Sequence, residues 1–230
     1  ALPHRHPALL AKMAETLDRL SEGRLVLVLG GGGPMNERAY GALGLAQRSP
    51  REKVEALEEA IDILRGLWST SDFSYTGQHF RTEGATIEPK PGHPIPIWLG
   101  VFGAQMVDLV GRKADGWFPT YQFLEPELAY RKLERIRTVA EHAGRNPDDI
   151  TYAYNVPVLV EEGTITSRGR IAGSAEEVAS QLADLVRHGF TFLNLWPSGK
   201  AATQRERLAR EVLPIVRDFL ALNVSLDQSP

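Results

Sequence analysis

The 230-residue chain contains no cysteine. That excludes disulfides, thiolate nucleophiles, Cys-ligated zinc and iron–sulfur clusters, and it suits a reducing cytoplasm, the compartment expected here. No apolar run approaches the ~18 residues a membrane-spanning helix needs, so no membrane partner is expected. The chain also lacks a basic block. Lys+Arg number 26 against 29 Asp+Glu, a formal net charge of −3, which argues against a nucleic-acid partner. There is no Walker-type GxxxxGK[ST], no HExxH pair and no Ser/His/Asp order, so those phosphate, zinc and hydrolase chemistries are not indicated and no metal site is expected. The opening ALPHRHPALLAK has neither a start methionine nor the apolar core of a secretion signal.

What is present is ordinary for a globular protein: 43% apolar and 24% charged residues. The organising stretch is GRLVLVLGGGGPMNE, Gly23 to Glu37. Its continuous apolar run predicts a buried strand from Arg24 to Leu29, covered on both faces as in a parallel sheet. The strand stops at four consecutive glycines, Gly30 to Gly33. Without Cβ atoms, backbone N–H groups there are open to a phosphate or a flat ligand. A plain turn would use the same residues.

Around this strand the pattern alternates. A helix is predicted over Ala8–Leu20, with Leu10, Met13, Ala14 and Leu17 inward. The segment to Pro50 reads as irregular. Ser49-Pro50 then opens a helix over Arg51–Trp68, whose stripe is Val54, Leu57, Ile61, Leu64 and Trp68. Ser71–Glu88 reads as a loop with short extended pieces at Phe73–Tyr75 and His79–Phe80. Strands are predicted at Ile95–Leu99, Ala114–Phe118, Ile150–Val160 and Phe190–Trp196. Helices are predicted over Ala104–Lys113, Pro126–Ala143, Ser174–His188 and Thr203–Leu222. Strand–helix alternation of this kind means a parallel sheet, either open and doubly wound or part of an eight-stranded barrel.

Three segments taken together, RHPALLAKMAETLDRLSEGRLVLVLGGG, REKVEALEEAIDILRGLW and PIPIWLGVFGAQMVDLVGRKADGWFP, resemble the luciferase-like flavin-dependent oxidoreductases and monooxygenases, over nearly the whole chain. The resemblance implies an α/β fold of the (β/α)8 TIM-barrel type. It would be incomplete: about five parallel strands corresponding to barrel strands 4–8, in a single domain over 1–230 truncated at its N-terminus. The first three barrel strands have no counterpart, and nothing matches the family's N-terminal acid/base residues, so no catalytic residue carries over. The implied cofactor is F420, with FMN as the alternative. The implied chemistry is hydride transfer to or from a small organic substrate, or oxygenation in the FMN case. A homodimer is expected. Other functions left open are a non-catalytic flavin-binding barrel and a barrel enzyme acting on a phosphorylated metabolite.

GGGGPMNE resembles the phosphate-side loop of the F420 branch; Asn36 matches its Asn, and Gly31, Gly32 and Gly33 its turn. Gly100-Val101-Phe102-Gly103-Ala104-Gln105 resembles the second cofactor segment, where amides at a helix start hold the phosphate. The candidate cofactor residues are therefore Gly31, Gly32, Gly33, Asn36, Gly100, Val101, Gly103, Ala104 and Gln105. His4 and His6 stand near the place where the missing third barrel strand would deliver the chain into the site. A histidine there could serve as acid or base near neutral pH, and His6 before Pro7 reads as a helix-entry residue. His142 and His188 read as helix-end cations. Trp98 and Trp117 read as wall residues, and Trp196 as a rim residue.

Overall fold

In the computed structural model, residues 2–33, 37–45 and 47–226 are described. The chain divides into two compact units, 1–117 with 136–150, and 118–135 with 151–230.

The first unit holds α1 (Pro7–Leu20), β1 (Leu27–Leu29), α2 (Glu37–Ala42), α3 (Pro50–Ser69), β2 (Phe73–Thr76), β3 (Arg81–Ala85), β4 (Ile97–Leu99), α4 (Ala104–Lys113) and β5 (Gly116–Trp117). β1, β4 and β5 run parallel. The pairs Leu29↔Leu99 and Leu99↔Trp117 bring their C-terminal ends level, so the segments after them emerge at one edge.

α3 forms where the sequence predicts it, and its start is fixed by local chemistry. The Ser49 side chain accepts from the Glu52 amide, the Glu52 carboxylate accepts from the Ser49 amide, and Pro50 fills the first turn. Leu57, Ile61 and Leu64 are buried as expected. Within Ser71–Glu88 the extended piece expected at Phe73–Tyr75 forms β2, but it pairs with β3 in an antiparallel hairpin rather than lying in a loop, and the piece expected at His79–Phe80 lies in the hairpin's turn. The buried Glu59 carboxylate accepts the amides of Gln78, His79 and Phe80, which anchors that turn on α3. A second correction is α2, a short helix inside the segment read as irregular.

Two further expectations change. The strand predicted over Arg24–Leu29 forms only at Leu27–Leu29, and Val26 and Val28 are 36% and 41% exposed. Among the described strands β1 pairs with β4 alone, which leaves its other edge unpaired, and the face that carries Val26 and Val28 is not covered. In α1, of the residues expected inward, Ala14 is buried, while Met13 and Leu17 are 44% and 53% exposed. The buried side is Ala11, Ala14, Glu15 and Asp18. Small alanines let α1 approach α3, and the carboxylates bring their own partners. Lys12 and Arg19 pair with Glu15 at 2.7 and 2.8 Å, and His93 with Asp18 at 3.0 Å. Leu9, Met13, Leu17 and Leu20 are left as an exposed apolar row.

The second unit is built on β6 (Thr151–Val160), which pairs in parallel with β7 (Ile171–Gly173) and β8 (Phe192–Pro197). β7 was not foreseen. The strand expected from Phe190 begins at Phe192; Phe190 is buried and stacks on Tyr154 at 4.6 Å. α5 (Pro126–His142) supplies residues to each unit. Ser174 and Glu177 form the capping box of α6 (Ala175–Arg187), as their spacing predicts. The C-terminal helix runs as α7 (Ala201–Arg207), a π-helical turn at Leu208–Val212 and α8 (Leu213–Leu226). No described helix is long and apolar enough to cross a membrane.

Candidate cofactor site

The glycine turn and the start of α4 follow two paired strands and meet. The Gly100 amide donates to the Leu29 carbonyl at 2.8 Å. A Cβ built on Gly30 would lie 3.5 Å from the Gly100 carbonyl oxygen, and one on Gly31 only 2.8 Å from the Met106 side chain in the first turn of α4. Glycine at 31 is therefore what lets the two segments close on each other. Gly32 has φ +86°, a backbone that L side chains rarely adopt, and a Cβ there would strike the Tyr40 hydroxyl at 2.8 Å. Around the Cβ position of Gly33 no atom of the described residues lies within 4 Å, chain neighbours aside.

α4 begins without a side-chain cap. Gly103 is its N-cap, at φ −67° and ψ 148°, and nothing lies within 4 Å of where its Cβ would be. The intrahelical ladder starts with the Val107 amide on the Gly103 carbonyl at 2.9 Å. The N–H groups of Ala104, Gln105 and Met106 therefore have no helical acceptor, and they sit at the positive end of the helix dipole. Ala104 and Gln105 are exposed, so these donors can be approached from solvent. Val101 is buried, and its carbonyl accepts the Trp117 indole N–H at 2.8 Å. This bond fixes the Gly100–Gly103 turn to the end of β5.

Of the expected residues, Gly31, Gly32 and Gly33 on one segment and Gly100, Val101, Gly103, Ala104 and Gln105 on the other lie at this one edge. Asn36 lies outside the described residues. His4 packs edge-on against Tyr40, ring centroids 5.1 Å apart. The His6 side chain accepts from the Ala8 amide and caps α1. His142 and His188 bond to the carbonyls of Thr138 and Asp184, one helical turn back. Trp98 covers Gly116, where a Cβ would come within 2.4 Å of its ring.

The sequence reading gave no role to Tyr40 or Arg170 and took Trp117 only as a wall residue. Tyr40 is buried under the glycine turn, and its hydroxyl finds no hydrogen-bond partner among the described residues. Trp117 holds Val101. In the second unit Arg170 lines a cleft of about 420 Å³ with Gln122, Arg168, Trp196 and Ser198, and its Nε is buried without a partner among the described residues. None of these carries a motif. A larger cavity of about 670 Å³ lies in the first unit beside Ile95, Asp115 and Arg145. There Asp115 already accepts from Arg65 and the Ile97 amide, and Arg145 donates to the carbonyls of Val110, Gly111 and Ala114. That end of the strands is built for stability. Among the described residues no group of three or more His, Cys, Asp or Glu could hold a metal ion.

The profile described as luciferase-like monooxygenase matches residues 1–164. The chain belongs to the luciferase-like monooxygenase family. Within that family it is 33% identical over 145 residues to an F420-dependent glucose-6-phosphate dehydrogenase of Nakamurella multipartita, covering 63% of this chain and 42% of that protein. It is 35% identical over 143 residues to an F420-dependent hydroxymycolic acid dehydrogenase of Mycobacterium tuberculosis, covering 62% and 38%. The chain thus spans less than half the length of these curated relatives. Its fold is similar to that of a solved F420-dependent secondary alcohol dehydrogenase in complex with an F420–acetone adduct, with TM-score 0.81 at 19% identity over 93% of this chain and 76% of that one. The fold class is accordingly α/β of the TIM-barrel type, incomplete, as the resemblance implied. In luciferase-like terms the glycine turn and the α4 start follow neighbouring barrel strands.

Proposed function

We propose that this chain binds the phosphate-bearing part of a flavin-type cofactor, F420 by preference and FMN as the alternative, and serves an oxidoreductase of the luciferase-like family. The observation that carries the reading is the meeting of the Gly30–Gly33 turn with the uncapped start of α4. The donor set suits the group: main-chain amides at a helix dipole's positive end, with no side chain in the way, match an anion. Gly31, Gly32 and Gly33 would give the close approach. Gly103, Ala104 and Gln105 would donate, and Gly100 and Val101 would set the height of the turn. Asn36 is kept as a cofactor residue on the resemblance alone.

When bound, the cofactor supplies hydride transfer with a small organic substrate. The chain's own part is to bind and orient it. F420 is preferred because the relatives named above are F420-dependent. An FMN-dependent monooxygenase is the second reading, kept on the family resemblance alone. The two units are read as segments of one barrel domain over 1–230. A cytoplasmic setting agrees with the absence of cysteine. A homodimer agrees with the exposed row Leu9, Met13, Leu17 and Leu20 on α1.

Fluorescence titration of the purified chain with F420 and with FMN tests the proposal. Saturable binding of either supports it, with the tighter one naming the cofactor. Binding of neither refutes it.

A further inference from the structure

Tyr40 is 3% exposed, and its hydroxyl is one of two buried side-chain polar atoms without a hydrogen-bond partner among the described residues. Leaving a buried donor unsatisfied costs about 1–3 kcal/mol. Native folds carry few such groups, and each one asks for a reason. An apolar residue would fill the same space without that cost.

The hydroxyl's position supplies the reason. It lies 2.8 Å from where a Cβ on Gly32 would stand, so the turn closes over the phenol only because residue 32 is glycine. Among the described residues no atom lies within 4 Å of the Cβ position of Gly33, apart from its chain neighbours. Gly31, on the other side, packs against Met106 in the first turn of α4. The phenol therefore points into the segment that meets the uncapped amides of α4.

The ring is held in place. Its backbone belongs to α2, and the Tyr40 carbonyl accepts the amides of Leu43 and Leu45 at 3.2 and 2.9 Å. His4 packs edge-on against the ring at an interplanar angle of 64°. With the ring fixed, the hydroxyl can choose its direction only by rotating about the C–O bond. That is a preorganised donor, and its stronger bonds are those to charged oxygens.

We propose that the Tyr40 hydroxyl donates a hydrogen bond to a phosphate oxygen of the bound cofactor, beside the Gly32 turn. The inference rests on the cofactor reading above and adds a side chain to a site otherwise made of main-chain amides. Tyr40 is then a specificity residue for the phosphate, separating F420 and FMN from their phosphate-free cores.

The test is Tyr40→Phe in the full chain, with two readouts that do not depend on turnover. Thermal melting of the ligand-free variant is expected to give a midpoint equal to or above that of the wild type, because an unsatisfied hydroxyl is removed. Titration is expected to show FMN and F420 binding weakened about tenfold, the scale of one lost charge-assisted bond, while riboflavin binds as before. Unchanged affinity for the phosphate-bearing cofactors would overturn the proposal and leave the cofactor reading standing. So would an equal loss for riboflavin, or a lower melting midpoint, which would mean the hydroxyl is already partnered. Failure of the wild type to bind any of them would overturn the cofactor reading and this proposal together.

Discussion

The indole N–H of Trp117 donates to the carbonyl of Val101 at 2.8 Å, with the tryptophan side chain fully buried. One residue ends β5 and the other follows β4, so the bond ties the turn before α4 to the neighbouring strand. It fixes where the free amides of α4 stand. Trp117→Phe keeps most of the packing and removes the donor. The Val101 carbonyl, on a buried residue, would then lack its partner, at a cost of about 1–3 kcal/mol in folding stability. Chemical denaturation should show that loss, and cofactor titration should show weaker binding from the loosened turn. An unchanged unfolding midpoint would mean the bond contributes nothing.

Gly103 offers a cleaner probe of the site than Gly32. Gly32 sits at positive φ against Tyr40, so Gly32→Ala should cost at least about 1–2 kcal/mol in stability before any ligand is considered. Gly103 has an ordinary backbone and open space. A serine there is a good N-cap, expected to stabilise α4 by a few tenths of a kcal/mol. Its hydroxyl would occupy the amides assigned to the phosphate. Gly103→Ser should therefore melt at or above the wild-type temperature and bind the cofactor more weakly. Tighter or equal binding would count against those amides.

How much of this could be read beforehand followed how local the chemistry is. The starts of α3 and α6 were visible because Ser49 with Pro50, and Ser174 with Glu177, lie within four residues of each other in the chain; the structure adds Glu52 to the first cap. The Gly30–Gly33 turn was visible because a missing Cβ is a property of the residue itself, whereas the Gly100–Gln105 segment was marked only by its resemblance to the family. The inward face of α1 was misread because two carboxylates, Glu15 and Asp18, are buried by partners on α1 and by the distant His93. The open face of β1 depends on which elements pack over it, which a continuous apolar run does not encode. Tyr40 and Trp117 were missed as parts of the site for a similar reason. Their partners, or lack of partners, are set by packing between residues far apart in the chain.

The buried Glu15 gives the first unit an acid-sensitive component. Hydrogen bonding from Lys12, opposed by burial and aided by Arg19, holds its carboxyl below the ordinary value of 4.5. A carboxyl depressed in the folded state stabilises the fold above its unfolded pKa, and that contribution is lost as pH falls through the folded value. Stability followed by thermal melting should fall as pH drops below about 4.5. Glu15→Gln should melt lower at neutral pH and show a shallower decline in acid. A parallel decline in both proteins would exclude Glu15 as a source.

The row Leu9, Met13, Leu17 and Leu20 predicts the assembly state. Leu17 is 53% exposed, so Leu17→Glu should leave folding stability within about 0.5 kcal/mol, as for surface substitutions generally. If the row is a dimer contact, sedimentation will show a wild-type dimer and a monomeric variant. A monomeric wild type, or a variant that still dimerises, would place the contact elsewhere or remove it.

The central claim is that one anion is held by main-chain amides from two neighbouring turns. Backbone amide NMR during titration with F420, and separately with FMN, addresses it directly. The account predicts that the resonances of Gly31–Gly33 and of Gly103–Gln105 move together and saturate at one ligand concentration. Movement confined to other residues, with both turns silent, would contradict it.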